Sequence, residues 1–388
     1  MRFSLLLFSI FLSFSVNAST SSQDPEILLN LAFDEINQGR LELALNYIEI
    51  VLRNNPNFRL AQLIKGDLLL ARARPIKTLG NTSNGSREQL ADLRAEAVAR
   101  LKAYRERPPT NKIPRYLLQL EPQQKYAVIV DATKSRLYLF QNTDEVPRFV
   151  ADYYISIGKQ GIAKSKRGDQ KTPIGVYYII NNLSKDKLSD FYGHGAFPLD
   201  YPNEWDKRLG KNGHGIWLHG TPSDTYSRPP RASDGCVVLS NQDFDLISKS
   251  LQVGLTPVII SDRVEWLSLD EWNNQRQNLR QAIENWRQDW ESLNTERYIK
   301  HYSKNFWTTD GQNFSIWRHQ KVLVNNNKTW VKVNISDLSM FHNPGRETFI
   351  VVNFEQDYRS NNLSTKIKKR QYWVMEDNQW KIVYEGAV

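Results

Sequence analysis

The sequence predicts a multi-domain protein: an α-helical amino-terminal module, a central mostly-β domain and a carboxy-terminal α+β domain. Three observations carry this. Apolar residues between 24 and 105 recur at helical spacing. Residues 126–261 hold short apolar runs separated by turn residues, with one helical stretch and no strand–helix alternation. Beyond residue 275 a bulky-striped helix precedes four long strand-like runs.

The elements follow in chain order. Met1 and Arg2 precede an apolar run, Phe3 to Val16, that ends in Val16-Asn17-Ala18. This pattern is expected of a signal peptide over residues 1–18, cleaved after Ala18, and so of a periplasmic protein. The run is too short to span a bilayer comfortably. Residues 19–106 form the helical module. Leu31, Phe33 and Ile36, then Gly39, then Leu41, Ala44, Tyr47, Ile48, Val51 and Pro56 read as two amphipathic helices with a turn and a proline stop. The small residues resemble one tetratricopeptide unit. A single unit cannot bury its own faces, so it is expected to pack on the following helices or to form a homodimer. Residues 107–123, "RPPTNKIP" and its continuation, read as a linker because proline lacks the amide and restricts its predecessor.

The catalytic candidate is the β-rich segment 124–262, with strands expected in "YAVIVDATKSRLYLF", "FVADYYISIG", "GVYYII", "GIWLHG", "CVVLS" and "TPVIIS". "NQDFDLISKSL" (241–251) is its helix, capped by Ser240 or Asn241. In the last segment, 275–388, Ile283, Trp286, Trp290 and Leu293 give one helix, and a second is expected through Tyr298 to Phe306. Four long strands follow, "KTWVKVNISDLSMF", "ETFIVVNFEQDYRS", "KIKKRQYWVME" and "QWKIVYEG". Their order resembles the nuclear transport factor 2 superfamily, which implies a cone with a pocket in a binding or positioning role.

Composition narrows the chemistry. The net charge of +9 favours anionic surroundings, but no basic run is interleaved with aromatics, so nucleic acid is not expected as a partner. The single cysteine, Cys236, can form no disulfide within the chain and excludes thiolate metal sites. It is either an inert buried thiol or a nucleophile. Of six histidines, His219 ends the strand "GIWLHG" and precedes Cys236 by 17 residues of turn-rich chain. Two adjacent strand ends would put imidazole and thiol within reach, with His219 as base. The Gly220 carbonyl can accept from the second imidazole nitrogen and fix the tautomer. Gly235 removes a side chain beside the thiol, and the Gly235 and Cys236 amides are expected to form an oxyanion hole. His214 is a candidate for binding substrate carboxylates. A metal on His194, His214 and His219 would occupy the base, so no metal or other cofactor is expected.

"HGT" followed by "ASDGCVVLS", with "KTPIGVYYI" upstream, resembles the catalytic domain of YkuD-type L,D-transpeptidases. The resemblance spans about residues 124–262. It implies a sandwich-like fold whose cysteine attacks peptidoglycan stem peptides. Cys236 is then the nucleophile, His219 the base and Gly220 the orienting carbonyl; Ser233 and Gly235 shape the nucleophile loop, and Thr172, Pro173 and Gly175 match the upstream strand. Asp234 stands where most members carry His, and Val238 where many carry Arg. Asp234 opposes thiolate formation unless it points away or pairs with Arg231. The expected reaction is acyl transfer from a tetrapeptide stem through a thioester. The acceptor is an amine of a neighbouring stem or of an envelope protein, or water; water makes the enzyme an L,D-carboxypeptidase. The three-part layout resembles cell-shape L,D-carboxypeptidases of curved bacteria. Hydrolysis of an existing L,D link and a non-enzymatic envelope-binding scaffold are the further alternatives.

Overall fold

A computed structural model describes residues 24–81, 85–143 and 146–388; the expected signal peptide lies outside the described residues. The amino-terminal module is four helices, α1 (Pro25–Asn37), α2 (Leu41–Asn54), α3 (Arg59–Ala71) and α4 (Arg87–Arg105). Asp24 caps α1 with its carboxylate, and Pro25 suits the first turn, where no amide partner is needed. Leu29, Ala32, Ala44, Ile48, Val51, Leu60, Ala61 and Ile64 close a small core, and the small alanines let the helices approach.

The central domain sets two sheets face to face. The larger runs in the order Arg148–Tyr154, Arg136–Gln141, Tyr126–Asp131, Pro257–Ser261, Gly175–Tyr178. The smaller runs Val237–Val238, Trp217–His219, Gly195–Pro198, Leu183–Ser184. Val128, Val130, Leu137 and Leu139 meet Phe197, Leu218 and Val237 between them, and the helix Asn241–Ser248 adds Phe244 and Ile247. Alternation along a strand has period two, so Ala127, Ile129, Tyr138 and Phe140 point to the opposite face. That face is buried too, which is why "YAVIV" reads as an unbroken apolar run.

The carboxy-terminal domain covers it. Its six-stranded sheet runs Tyr302–Thr308, Gln379–Ala387, Ser364–Glu376, Phe349–Ser360, Val331–His342, Leu117–Gln119. Phe341, Phe349, Val351, Tyr372 and Tyr384 pack on the catalytic sheet, while Trp286, Trp290 and Trp373 fill the other side beneath the helix Leu269–Glu291.

Three expectations need correction. Residues 107–123 are not a free linker: Lys112–Pro114 pairs with Trp266–Ser268 and Leu117–Gln119 joins the carboxy-terminal sheet. The chain that looked like a spacer completes sheet edges on both sides. The helix expected through Tyr298 to Phe306 stops at Ile299, and Tyr302–Thr308 is a strand; it pairs in parallel, through a bulge, with Gln379–Ala387, while Tyr302 and Phe306 pack on Trp317. The helix Phe314–Asn326 was not foreseen.

Candidate active site

The strands Trp217–His219 and Val237–Val238 pair in parallel, with Leu218 opposite Val237 and His219 opposite Val238. Neighbouring strands lie about 5 Å apart, and this register sets Cys236 beside Trp217, two positions from His219 along the neighbouring strand and, by alternation, on the same face, not at an adjoining strand end as expected. His219 is buried. Its Nδ1 lies 2.6 Å from the Gly220 carbonyl, which can only accept, so Nδ1 carries the proton and Nε2 keeps a free lone pair. A Cβ on Gly220 would sit 2.2 Å from Asn241 Oδ1 and 3.2 Å from the His194 amide nitrogen, so the position is crowded by close approach of neighbouring chain.

Burial decides the protonation of both groups. It lowers the His219 pKa to about 4, with the Arg228 charge acting in the same sense against the Gly220 hydrogen bond. It pushes the Cys236 thiol up to about 11, although the Trp217 amide and the Arg228 guanidinium favour the thiolate. The resting pair is therefore a neutral thiol beside a neutral imidazole. Cys236 is half-buried and its Sγ donates to the Gly215 carbonyl at 3.3 Å.

The turn before the nucleophile is pinned from within. Ser233 Oγ donates to the Cys236 carbonyl at 2.6 Å and accepts from the Gly235 amide at 3.1 Å. Buried Thr172 accepts from the Gly158 amide and donates to the Gly235 carbonyl, both at 2.9 Å, which ties the Thr-Pro segment to the same turn. Two expectations change here. The Gly235 amide is occupied by Ser233, so it does not form an oxyanion hole. The space beside Gly235 is taken up by the Lys171 carbonyl, 2.7 Å from where a Cβ would stand, and the φ of +126° itself requires glycine.

The remaining candidates separate. Asp234 points outward and is held by Lys159 at 3.2 Å and Gln170 at 3.1 Å, instead of by Arg231. Arg231 is exposed on the strand Arg231–Ser233. His214 is exposed, next to the Gly215 that meets the thiol. His194 is engaged by Asp245 at 2.9 Å.

Sequence reasoning missed the walls. Tyr192 sits edge-on to the His219 ring, 5.1 Å between centroids, and 4.7 Å from Trp217. Phe191 lies 5.9 Å from His219 and carries the Arg228 guanidinium 4.8 Å above its ring. The signal was available in "FYGHG" and in "YSRPPR", an arginine set in a proline-stiffened loop between base and nucleophile.

That loop, 221–230, is anchored on the helical module. Tyr226 stacks on Phe58 at 4.3 Å, and Ser227 Oγ donates to Glu96 at 2.6 Å. Glu96 and Glu26 flank Arg100, which also lies 3.9 Å over the Tyr154 ring.

Residues 125–260 match the L,D-transpeptidase catalytic domain (YkuD), and residues 278–386 match the Cds6 C-terminal NTF2-like domain. Among solved structures, Bd1075 of Bdellovibrio bacteriovorus is 30% identical, with 71% of this chain and 98% of that one covered and a TM-score of 0.63. The helical cell shape determining protein Pgp2 of Campylobacter jejuni is 24% identical over 70% of this chain and 95% of its own, with a TM-score of 0.60. At that identity the likeness shows a shared fold. No curated protein matches the chain.

Proposed function

The chain belongs to the YkuD L,D-transpeptidase family of peptidoglycan-acting cysteine enzymes, and on that premise we propose that it opens the L-to-D amide of tetrapeptide stems through a Cys236 thioester. The observation that carries this is His219 with Nδ1 fixed on the Gly220 carbonyl, on the strand next to Cys236. Nε2 takes the thiol proton as sulfur attacks the amide carbonyl carbon. The C–N bond breaks, the imidazolium returns that proton to the leaving nitrogen, and D-alanine departs. Because both groups rest neutral, proton transfer accompanies attack instead of preceding it. An acceptor then displaces the thiol.

An amine acceptor gives transpeptidation, to a neighbouring stem or an envelope protein. Water gives a tripeptide, the L,D-carboxypeptidase reading. The resemblance of the three-part layout to cell-shape L,D-carboxypeptidases supports water as the acceptor in this reading. The enzyme acts in the periplasm on this reading.

The test is incubation with disaccharide-tetrapeptides and mass spectrometry of the products. Tripeptide with free D-alanine is expected. Cross-linked dimers would replace water with an amine, and turnover by Cys236→Ala would overturn the mechanism.

A further inference from the structure

Arg228 stands out among the groups around the site. Its guanidinium is half-buried over Phe191 and, among the described residues, has no carboxylate within 4.0 Å. The acid whose charge reaches it, Asp234, is engaged by Lys159 and Gln170. Burial holds its pKa below the usual arginine range, so the cation is partly stripped of water without a partner. A desolvated, unpaired guanidinium is costly unless an anion arrives. The Cys236 thiolate is not that anion at rest, since the thiol stays protonated.

The position is built, too. Tyr154 donates its hydroxyl to the Arg228 carbonyl at 2.9 Å, Ser227 is tied to Glu96, and Pro229 and Pro230 fix the following backbone. Arginine matches a carboxylate bidentately, which a point charge does not.

We propose that Arg228 binds the terminal carboxylate of the D-alanine residue that Cys236 expels. This rests on the reaction proposed above. In a stem ending at that residue, the carboxylate carbon lies about 3–4 Å from the attacked carbon by covalent geometry. Arg228 lies 4.8 Å over Phe191, whose ring is 5.9 Å from that of His219, so a substrate seated on the sulfur presents this carboxylate to Arg228 first. Other stem carboxylates lie farther along the chain. Arg228 thereby selects stems whose last residue is free, and it holds the departing amino acid in line for the proton from His219.

The test compares a disaccharide-tetrapeptide with its C-terminal carboxamide. In the unaltered protein the carboxamide is expected to lose about 10- to 150-fold in kcat/KM, the worth of one charge-assisted hydrogen bond. The loss should fall mainly on KM, because the carboxylate is present before and during attack. Arg228→Gln should fall to the carboxamide's level with the tetrapeptide and then treat the two substrates alike, and Arg228→Lys should recover part of the difference. Equal losses on both substrates in Arg228→Gln would mean that the residue acts on the thiol or the loop, and would overturn the proposal. If Arg228→Gln does not fold, equal kcat/KM for the two substrates in the unaltered protein overturns it alone. Absence of turnover on any stem by the unaltered protein refutes the proposed reaction instead.

Discussion

The two flanking domains grip the catalytic domain with opposite chemistry. The carboxy-terminal sheet lays Phe341, Phe349, Val351 and Tyr372 on the back of the large sheet, against Ile129, Tyr138 and Tyr178. That contact is mainly aromatic, with a few polar links such as Asn353 to the Tyr178 hydroxyl and Trp205 to Glu347, and it lies on the sheet face away from the small sheet that carries His219. The helical module instead presents charge: Arg100 between Glu26 and Glu96, with Arg136 of the catalytic domain 3.2 Å from Glu26. Its contact ends on the loop that carries Arg228. Apolar burial is non-directional and supplies adhesion; buried ion pairs and hydrogen bonds have defined geometry and supply position. The difference teaches that one neighbour holds the domain together and the other shapes its site.

The largest effect should come from Arg100→Ala. It leaves buried Glu96 without its cation and half-buried Glu26 with Arg136 alone, which costs about 3–5 kcal/mol when one partner of a buried pair is removed. Chemical denaturation should show the loss, and activity should fall in the protein that remains folded. Unchanged activity would break the link between module and site. Ser227→Ala is the narrower cut. It removes one of the partners of the Glu96 carboxylate, which keeps Arg100, so about 1 kcal/mol should be lost, read as a small drop in the unfolding midpoint together with lower kcat/KM. On the other side, Phe349→Leu breaks ring contacts with Trp205 at 4.3 Å and Tyr372 at 5.0 Å. About 1 kcal/mol of stability should be lost, with kcat/KM of the folded protein unaltered. A matching drop in activity would erase the contrast between the two interfaces.

Much of this was legible in the sequence because it is local. The four carboxy-terminal runs became the strands Val331–His342, Phe349–Ser360, Ser364–Glu376 and Gln379–Ala387, since period-two patterning over such lengths leaves little choice. His219 and Cys236 could be paired because one ends and the other begins a short apolar run, and Gly220 could be assigned a carbonyl role from adjacency alone. What escaped depends on packing between distant segments. Leu117–Gln119 looks like chain after a proline linker, and only the edge of the strand Val331–His342 makes it a strand. Phe191, Tyr192 and Arg228 stand in segments whose composition hints at a site, but only packing sets Tyr192 and Phe191 against His219 and brings Arg228, on the loop held by Glu96, over Phe191. Gly235 was read as space for substrate; the Lys171 carbonyl, 64 residues upstream, fills that space.

The smallest change expected is in the pH profile, and it joins both halves of the comparison. A buried His219 with a pKa of about 4 is still about 97% neutral at pH 5.5, where a histidine of ordinary pKa near 6.5 would be about 9% neutral. kcat/KM should therefore stay nearly level from pH 7 to pH 5.5 and fall only as pH approaches 4. The fold binds fewer protons here than the unfolded chain between about 4 and 6.5. Stability from the neutral site is present above 6.5 and declines as pH falls through that window. Tyr192 and Phe191 cover His219, and Arg228 of the loop anchored on the helical module lies over Phe191, so loosening that loop with Ser227→Ala should hydrate the imidazole and move the acid limb upward. Phe349→Leu should leave the limb where it is. If both variants moved it equally, the site would respond to global softening instead of to the helical module, and the division of labour between the two neighbours would fail.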